Sequence, residues 1–102
     1  MSDDDPLPLS AQSFIASTPD DLVFVRVAVA GHVLGVQLEP GVMQRPGSEI
    51  AQRIIACADV AYLQGQVALR SVWEDAGLDS ACVQDMPTEG DLIAARERLE
   101  SL

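Results

Sequence analysis

Lysine is absent from this sequence, and its six basic residues, all arginine, face 16 acidic ones. The formal net charge is therefore −10. Affinity for nucleic acid comes largely from Lys and Arg side chains that displace counterions from phosphates. A local basic patch would be needed to bind DNA, and six scattered arginines offer little material for one. The composition disfavours DNA as a partner without excluding it.

Cysteine and aromatic residues are also scarce. The two cysteines, Cys57 and Cys82, are too few for a disulfide scaffold, and no Cys/His cluster has the spacing of a zinc site. We therefore expect no metal and no other cofactor. Aromatic residues make up 4% of the chain, so the core is expected to consist of Val, Ile, Leu and Ala.

Long apolar runs are missing as well. A membrane-spanning helix needs about 18 or more mostly apolar residues, and no such run exists. The start, MSDDDPLPLS, lacks the basic first residues and apolar stretch of a signal peptide, so we expect a cytoplasmic location, with export through another route left open. We expect residues 1–11 to be a disordered acidic lead, 12–77 the folded domain, and 78–102 a linker and a C-terminal helix.

Two stretches with alternating valines predict a β-hairpin. LVFVRVAVA and HVLGVQLEP each place large aliphatic residues at every second position, as strands do. A two-residue Ala30-Gly31 loop puts these aliphatics on one face, in the register Val29–His32, Val27–Leu34, Val25–Val36 and Val23–Leu38. Gly31 supplies the positive φ of the turn, and Gly35, opposite Arg26, leaves room for the arginine or for a neighbouring element.

The segment QSFIAS is predicted to add a third strand. It is followed by TPDD, a strong turn signal with Pro at its second position. A four-residue TPDD loop would pair Phe14 with Val25 and Ala16 with Val23. The result is a three-stranded antiparallel meander.

A long helix is predicted next, with Ser48 as its N-cap and Gly77 as its stop. Its apolar surface is wider than one small sheet covers, and a symmetric second copy is the simplest cover. We therefore predict a dimer or partner interface on one stripe, formed by Ile50, Ile54, Ala58, Ala61, Gly65, Ala68 and Val72. A second apolar stripe consists of Ile55, Tyr62, Leu69 and Trp73.

Gly65 lies in the middle of this predicted helix. Glycine there costs about 1 kcal/mol relative to alanine. Close packing against another element would explain it, and the alternative is a tolerated residue without a packing role.

The last segment, PTEGDLIAARERLESL, is predicted to be a second helix. Thr88 can cap it, with Asp91 as a partner in a capping box. Leu92, Leu99 and either Ala95 or Arg96 form a narrow apolar stripe. The helix either packs on the domain or docks on a partner.

No arrangement of reactive side chains predicts an enzyme. His32, the only histidine, lies beside a turn and has no predicted nucleophile or carboxylate next to it, as catalysis would require. The spacing of Gly31 and Gly35 is not a phosphate-binding loop, because no GK[ST] follows and a strand stands where a helix should begin.

The order of elements resembles the YbaB/EbfC family of small nucleoid-associated proteins. That family combines an alternating strand, a turn glycine, a second strand with an acidic-proline end, and a long alanine-rich helix. The matching positions lie within residues 13–75; they are Val25, Val27, Gly31, Leu38, Glu39, Pro40, Ile50, Ile54, Ala58 and Ala61. The resemblance implies an α+β domain and, as one alternative, DNA binding.

A closer resemblance is to the mycobacterial type VII (ESX) secretion-associated EspD/EspH-like proteins. They share the acidic lead, a first strand that begins with Phe, the turn glycine, and a Pro-[ST]-x-E-like start to an alanine-rich last helix. They also share a helix motif that this sequence matches at Ser48, Glu49, Ile54, Ala58, Asp59 and Ala61. The resemblance implies a non-enzymatic accessory or chaperone-like protein that binds itself and other secretion proteins.

Overall fold

The chain has an α+β fold in which one long helix lies across a three-stranded antiparallel sheet. The computed structural model describes residues 8–78 and 80–102. The strands follow the order β1-β2-β3 in the sheet. The elements are β1 (Ser13–Ser17), β2 (Val23–Ala28), β3 (Val33–Leu38), α1 (Gly47–Asp75), α2 (Ser80–Val83) and α3 (Glu89–Glu100). This confirms the predicted fold class.

Two short 3-10 helices complete these elements, Leu9–Ala11 and Pro40–Gln44. Residues 1–7 of the predicted disordered lead lie outside the described residues. In residues 8–11 of this lead the structure shows the first 3-10 helix, whose end is closed by a hydrogen bond from the Gln12 N–H to the Leu9 carbonyl (2.9 Å).

The predicted hairpin register is confirmed over its outer half. Val23 pairs with Leu38 and Val25 with Val36. Next to the turn the prediction is wrong, because Val27 pairs with Val33 and the ladder shifts there by one residue. The Ala28 N–H donates to the His32 carbonyl (2.9 Å), so the turn closes at Ala28 instead of Val29. The extra residue on β3 forms a bulge.

Val29 leaves the hairpin instead of pairing with His32. Its N–H donates to the Gln12 carbonyl (3.0 Å), and its carbonyl accepts a hydrogen bond from Gln66 Nε2 (3.1 Å). Its side chain is buried. Gly31 has φ +110°, which confirms its predicted role in the turn.

The turn between β1 and β2 is closed by Thr18. The Thr18 N–H donates to the Val23 carbonyl (3.1 Å), so the loop comprises residues 19–22 and Phe14 pairs with Val27 instead of Val25. The Thr18 hydroxyl donates to Asp20 Oδ1 (2.6 Å) and accepts from the Val23 N–H (3.2 Å). This buried hydroxyl joins the loop to the first residue of β2.

Asp20 makes the stability of this turn dependent on pH. The hydrogen bond from Thr18, together with the Leu22 N–H and Arg45, holds the pKa of Asp20 below its ordinary value of 3.8. A lowered folded-state pKa adds stability above the ordinary value, and this stability is lost as pH falls through the folded-state pKa. We expect the denaturant midpoint to fall below pH 4, and Asp20→Asn to remove part of that fall. An equal fall in both proteins would contradict this assignment.

The boundaries of α1 differ from the prediction at one end. The helix begins at Gly47, and the Pro46 carbonyl accepts the N–H groups of Glu49 (3.0 Å) and Ile50 (3.2 Å). Ser48 therefore lies within the first turn, and its prediction as N-cap is wrong. The predicted stop at Gly77 is confirmed, since Gly77 has φ +81° and Leu78 N–H donates to the Trp73 carbonyl (3.2 Å), as in a Schellman motif.

Helix α3 packs on α1 and joins the same core as the sheet. Its buried residues are Leu92, Ala95 and Leu99, and they cluster with Val23, Val25 and Cys57. The sequence left two alternatives for this helix, packing on the domain or docking on a partner, and the structure shows that it packs on the domain. It also identifies Ala95, and not the exposed Arg96, as the middle residue of the stripe.

The predicted capping box at the start of α3 is present. The Asp91 N–H donates to Thr88 Oγ1 (3.3 Å), and the Thr88 N–H donates to Asp91 Oδ2 (2.8 Å). Loss of an N-cap costs about 1 kcal/mol. We expect Thr88→Ala to lower the free energy of unfolding by about this amount in urea titrations, and Thr88→Ser to leave it nearly unchanged. Equal losses in both variants would show that the hydroxyl does not act as the cap.

Candidate protein-interaction surface

The central part of the predicted interface stripe packs on the chain's own sheet. Ala61 and Gly65 are buried, and Ile50, Ile54, Ala58 and Ala68 are half-buried. A Cβ on Gly65 would lie 3.3 Å from Val29 Cγ2 and 3.5 Å from Phe14 Cδ2. The glycine therefore allows a close approach of helix and sheet within one chain. Only Val72, at the far end of the stripe, is exposed.

The uncovered apolar surface lies instead on β3. Helix α1 packs on β1 and β2, whereas every residue of β3 is exposed. Val36 and Leu38 pair with Val25 and Val23, which are fully buried. Paired residues share one face of a sheet, so the face that α1 covers on β2 continues without cover on β3. Four aliphatic side chains are exposed there: Val33 (53%), Leu34 (52%), Val36 (45%) and Leu38 (38%).

One residue of the second apolar stripe of α1 lies next to the turn that leads into β3. A ring carbon of Tyr62 lies 3.7 Å from the position that a Cβ on Gly31 would take. Ile55, Tyr62 and Trp73 are exposed, and Leu69 is half-buried. We call the exposed side chains of β3 together with Tyr62 the open face, formed by Val33, Leu34, Val36, Leu38 and Tyr62.

Strand β3 is also an edge of the sheet, and little protects it. Natural proteins usually protect exposed edges with charged side chains, proline or bulges. The segment Val33–Leu38 contains no charged residue and no proline, and its bulge lies only at the end next to the turn. Contiguous exposed apolar surface of this kind typically marks a contact site for another protein.

Gly35 pairs with Arg26, as predicted. A Cβ on Gly35 would have no atom within 4 Å. The arginine turns toward β1, where its Nη1 donates to Ser13 Oγ (3.0 Å). The space that a side chain at Gly35 would occupy is therefore open, and the glycine is not needed to make room for the arginine side chain.

Reactive side chains do not gather around this surface. Across residues 8–78 and 80–102, no group of three or more His, Cys, Asp or Glu side chains could hold a metal ion. His32 is exposed next to the turn. Cys57 is buried, and burial raises the pKa of its thiol to about 11, so the reactive thiolate is scarce at neutral pH.

Within the part of the chain that the structure describes, none of the helices has both the length and the hydropathy of a membrane span.

Comparison with known proteins identifies a family. The model of a family described as "Protein of unknown function (DUF2694)" matches residues 8–101. These residues contain all of the helices and strands described above. No curated protein and no solved structure matches the chain.

Proposed function

We propose that this chain, which belongs to the DUF2694 family of proteins of unknown function, is a non-enzymatic accessory module that binds other proteins. The observation that carries the proposal is the open face, where an uncharged edge strand and the side chain of Tyr62 lie without cover. A second copy of the chain is the simplest occupant of such a face, and we propose a homodimer as the working form.

The proposed context is type VII (ESX) secretion, in which the chain acts as a chaperone-like accessory to secretion proteins from the cytoplasm. The support is the resemblance of the sequence to EspD/EspH-like proteins, at Phe14, Gly31 and the motif that begins at Ser48. The acidic surface adds to it, because a net charge of −10 keeps a protein with an exposed apolar face soluble.

Complementation of a deletion strain tests this proposal. We expect deletion of the gene to lower the level or the export of type VII substrates, and the wild-type gene to restore both. Tyr62→Asp, in the open face, should fail to restore them. Ser71→Asp is the matched control, because Ser71 is exposed on the same helix outside the open face. Normal substrate levels and export in the deletion strain would refute the proposal.

DNA binding is the alternative function, and the charges of this chain disfavour it. Three arginines form ion pairs with carboxylates, Arg45 with Asp20 (2.8 Å), Arg53 with Glu49 (3.8 Å) and Arg70 with Glu74 (2.6 Å). These pairs reduce the positive charge available to phosphates. A gel-shift titration separates the two functions, since DNA binding with a negative salt slope would favour a nucleoid role over the accessory role.

A further inference from the structure

The backbone of β3 presents unused hydrogen-bonding groups along its outer edge. The Glu39 N–H donates to the Leu22 carbonyl (2.8 Å), and in an antiparallel ladder the residues that bond to the neighbouring strand alternate. Counting back from Glu39, Gln37 and Gly35 therefore bond to β2, as far as the bulge at Leu34. Val36 and Leu38 direct their N–H and C=O groups away from the sheet.

This edge is complementary to itself. A strand that pairs antiparallel with its own copy obeys two-fold symmetry, so residue i opposes j and j opposes i. Centred on Val36, the pairing opposes Val36 to Val36 of the second copy and Leu34 to Leu38 of the second copy. This register bonds Val36 of one copy to Val36 of the other and sets Leu38 opposite Leu34. A shift of two residues sets Leu34 opposite Pro40, which has no N–H, or Leu38 opposite His32 next to the turn.

The charge distribution favours a second copy at this place. Two chains of net charge −10 repel each other, and they meet with least repulsion where both surfaces lack charge. The segment Val33–Leu38 has no charged residue. In the register centred on Val36, the two Glu39 residues lie six positions apart along the strands, about 20 Å at ~3.4 Å per residue. This distance exceeds the Debye length of about 8 Å at physiological salt.

We infer that β3 pairs antiparallel with β3 of a second copy, centred on Val36, and forms a continuous six-stranded sheet. The inference rests on the proposed use of the open face for protein contacts and specifies the dimer. It places Val36 and Leu38 of both copies side by side in the middle of the enlarged sheet. Both outer edges of that sheet are then β1 strands.

Cysteine cross-linking tests the register. Gly35 and Gln37 bond to β2, so between the two copies they form a pair that is not hydrogen-bonded, with Cβ atoms about 4.5–5.5 Å apart. This spacing is close to that of disulfides. In a Cys82→Ser background, we expect Gly35→Cys mixed with Gln37→Cys to give a disulfide-linked dimer under mild oxidation. Each variant alone should link far less, because its own copies lie on a diagonal about 7–8 Å apart.

The control pair is Gly35→Cys mixed with Ser71→Cys, which is exposed on α1. Equal linkage in this pair, or no linkage in the Gly35/Gln37 pair, would overturn the inference. A dimer formed only through side chains of the helix would give no linkage in the Gly35/Gln37 pair. The reason is that the side chains of residues 35 and 37 point to the opposite face of the sheet.

Sedimentation of Val36→Pro gives an independent measurement. Proline removes the outward N–H of Val36, which no bond within the chain uses, and proline is tolerated on edge strands. We expect wild type to sediment as a dimer and a folded Val36→Pro to sediment as a monomer. A wild-type monomer, or an unchanged dimer in the folded variant, would overturn the edge pairing. Neither result depends on the secretion phenotype, which tests the proposed function separately.

Discussion

Gly65→Leu is expected to lower the free energy of unfolding by about 3 kcal/mol, at the upper end of the usual effect of overpacking. A Cβ at this position would already lie 3.3 Å from Val29 Cγ2 and 3.5 Å from the Val29 Cα. Three further carbon atoms must then push α1 away from the sheet, because the Val29 backbone is held by bonds to Gln12 and Gln66. Urea titration monitored by circular dichroism measures the change.

Gly47→Leu is the matched control for this prediction. Gly47 is the first residue of the same helix, and a Cβ there would have no atom within 4 Å. The same substitution should change the free energy of unfolding by only a few tenths of a kcal/mol, as is usual at exposed positions. Similar losses in the two variants would show that the close contact with Val29 is not the cause.

Thr18→Val is expected to destabilise the protein by about 2 kcal/mol, a typical cost of leaving a buried hydrogen-bonding group without a partner. The exposed fraction of Thr18 is 2%, and its hydroxyl accepts from the buried N–H of Val23. Valine has nearly the same shape, so the lost hydrogen bonds dominate the change. A shift of the melting temperature by roughly 10 °C would correspond to this loss.

Two variants separate the hydroxyl from other effects at Thr18. Thr18→Ser retains the hydroxyl and should retain most of the stability. Ser17→Ala removes the neighbouring hydroxyl, whose hydrogen bond to Asp21 is exposed and long (3.3 Å), and should have little effect. Wild-type stability in Thr18→Val would contradict the role of the hydroxyl, and a Thr18→Ser variant as unstable as Thr18→Val would show that packing of the Thr18 methyl group contributes as much as the hydrogen bonds.

Local chemistry made much of the fold predictable from the sequence. Alternating valines determine which face of β2 is buried, and the positive φ at Gly31 and Gly77 follows from what glycine permits. The capping box of Thr88 and Asp91 is a short-range motif of the same kind. Each of these features depends on residues close together in the chain.

The bulge and the position of the open face depend on distant residues. Val29 leaves the hairpin because its side chain packs on Gly65 and its backbone bonds to Gln12 and Gln66, contacts that no local pattern reveals. The sequence likewise shows that α1 has a wide apolar surface, but not which part the sheet covers. The uncharged stretch Val33–Leu38 was the available sign that the uncovered part includes β3.

The scarcity of aromatic residues in the core has a spectroscopic consequence. Trp73, the only tryptophan, is 36% exposed and Tyr62 is 39% exposed, and Tyr62 belongs to the open face. Intrinsic fluorescence of this protein therefore reports on its surface more than on the state of its interior. A partner that covers the open face should change the emission of Tyr62, while the valine core contributes no emission. The protein thus carries a native optical probe at the surface where we place its partners.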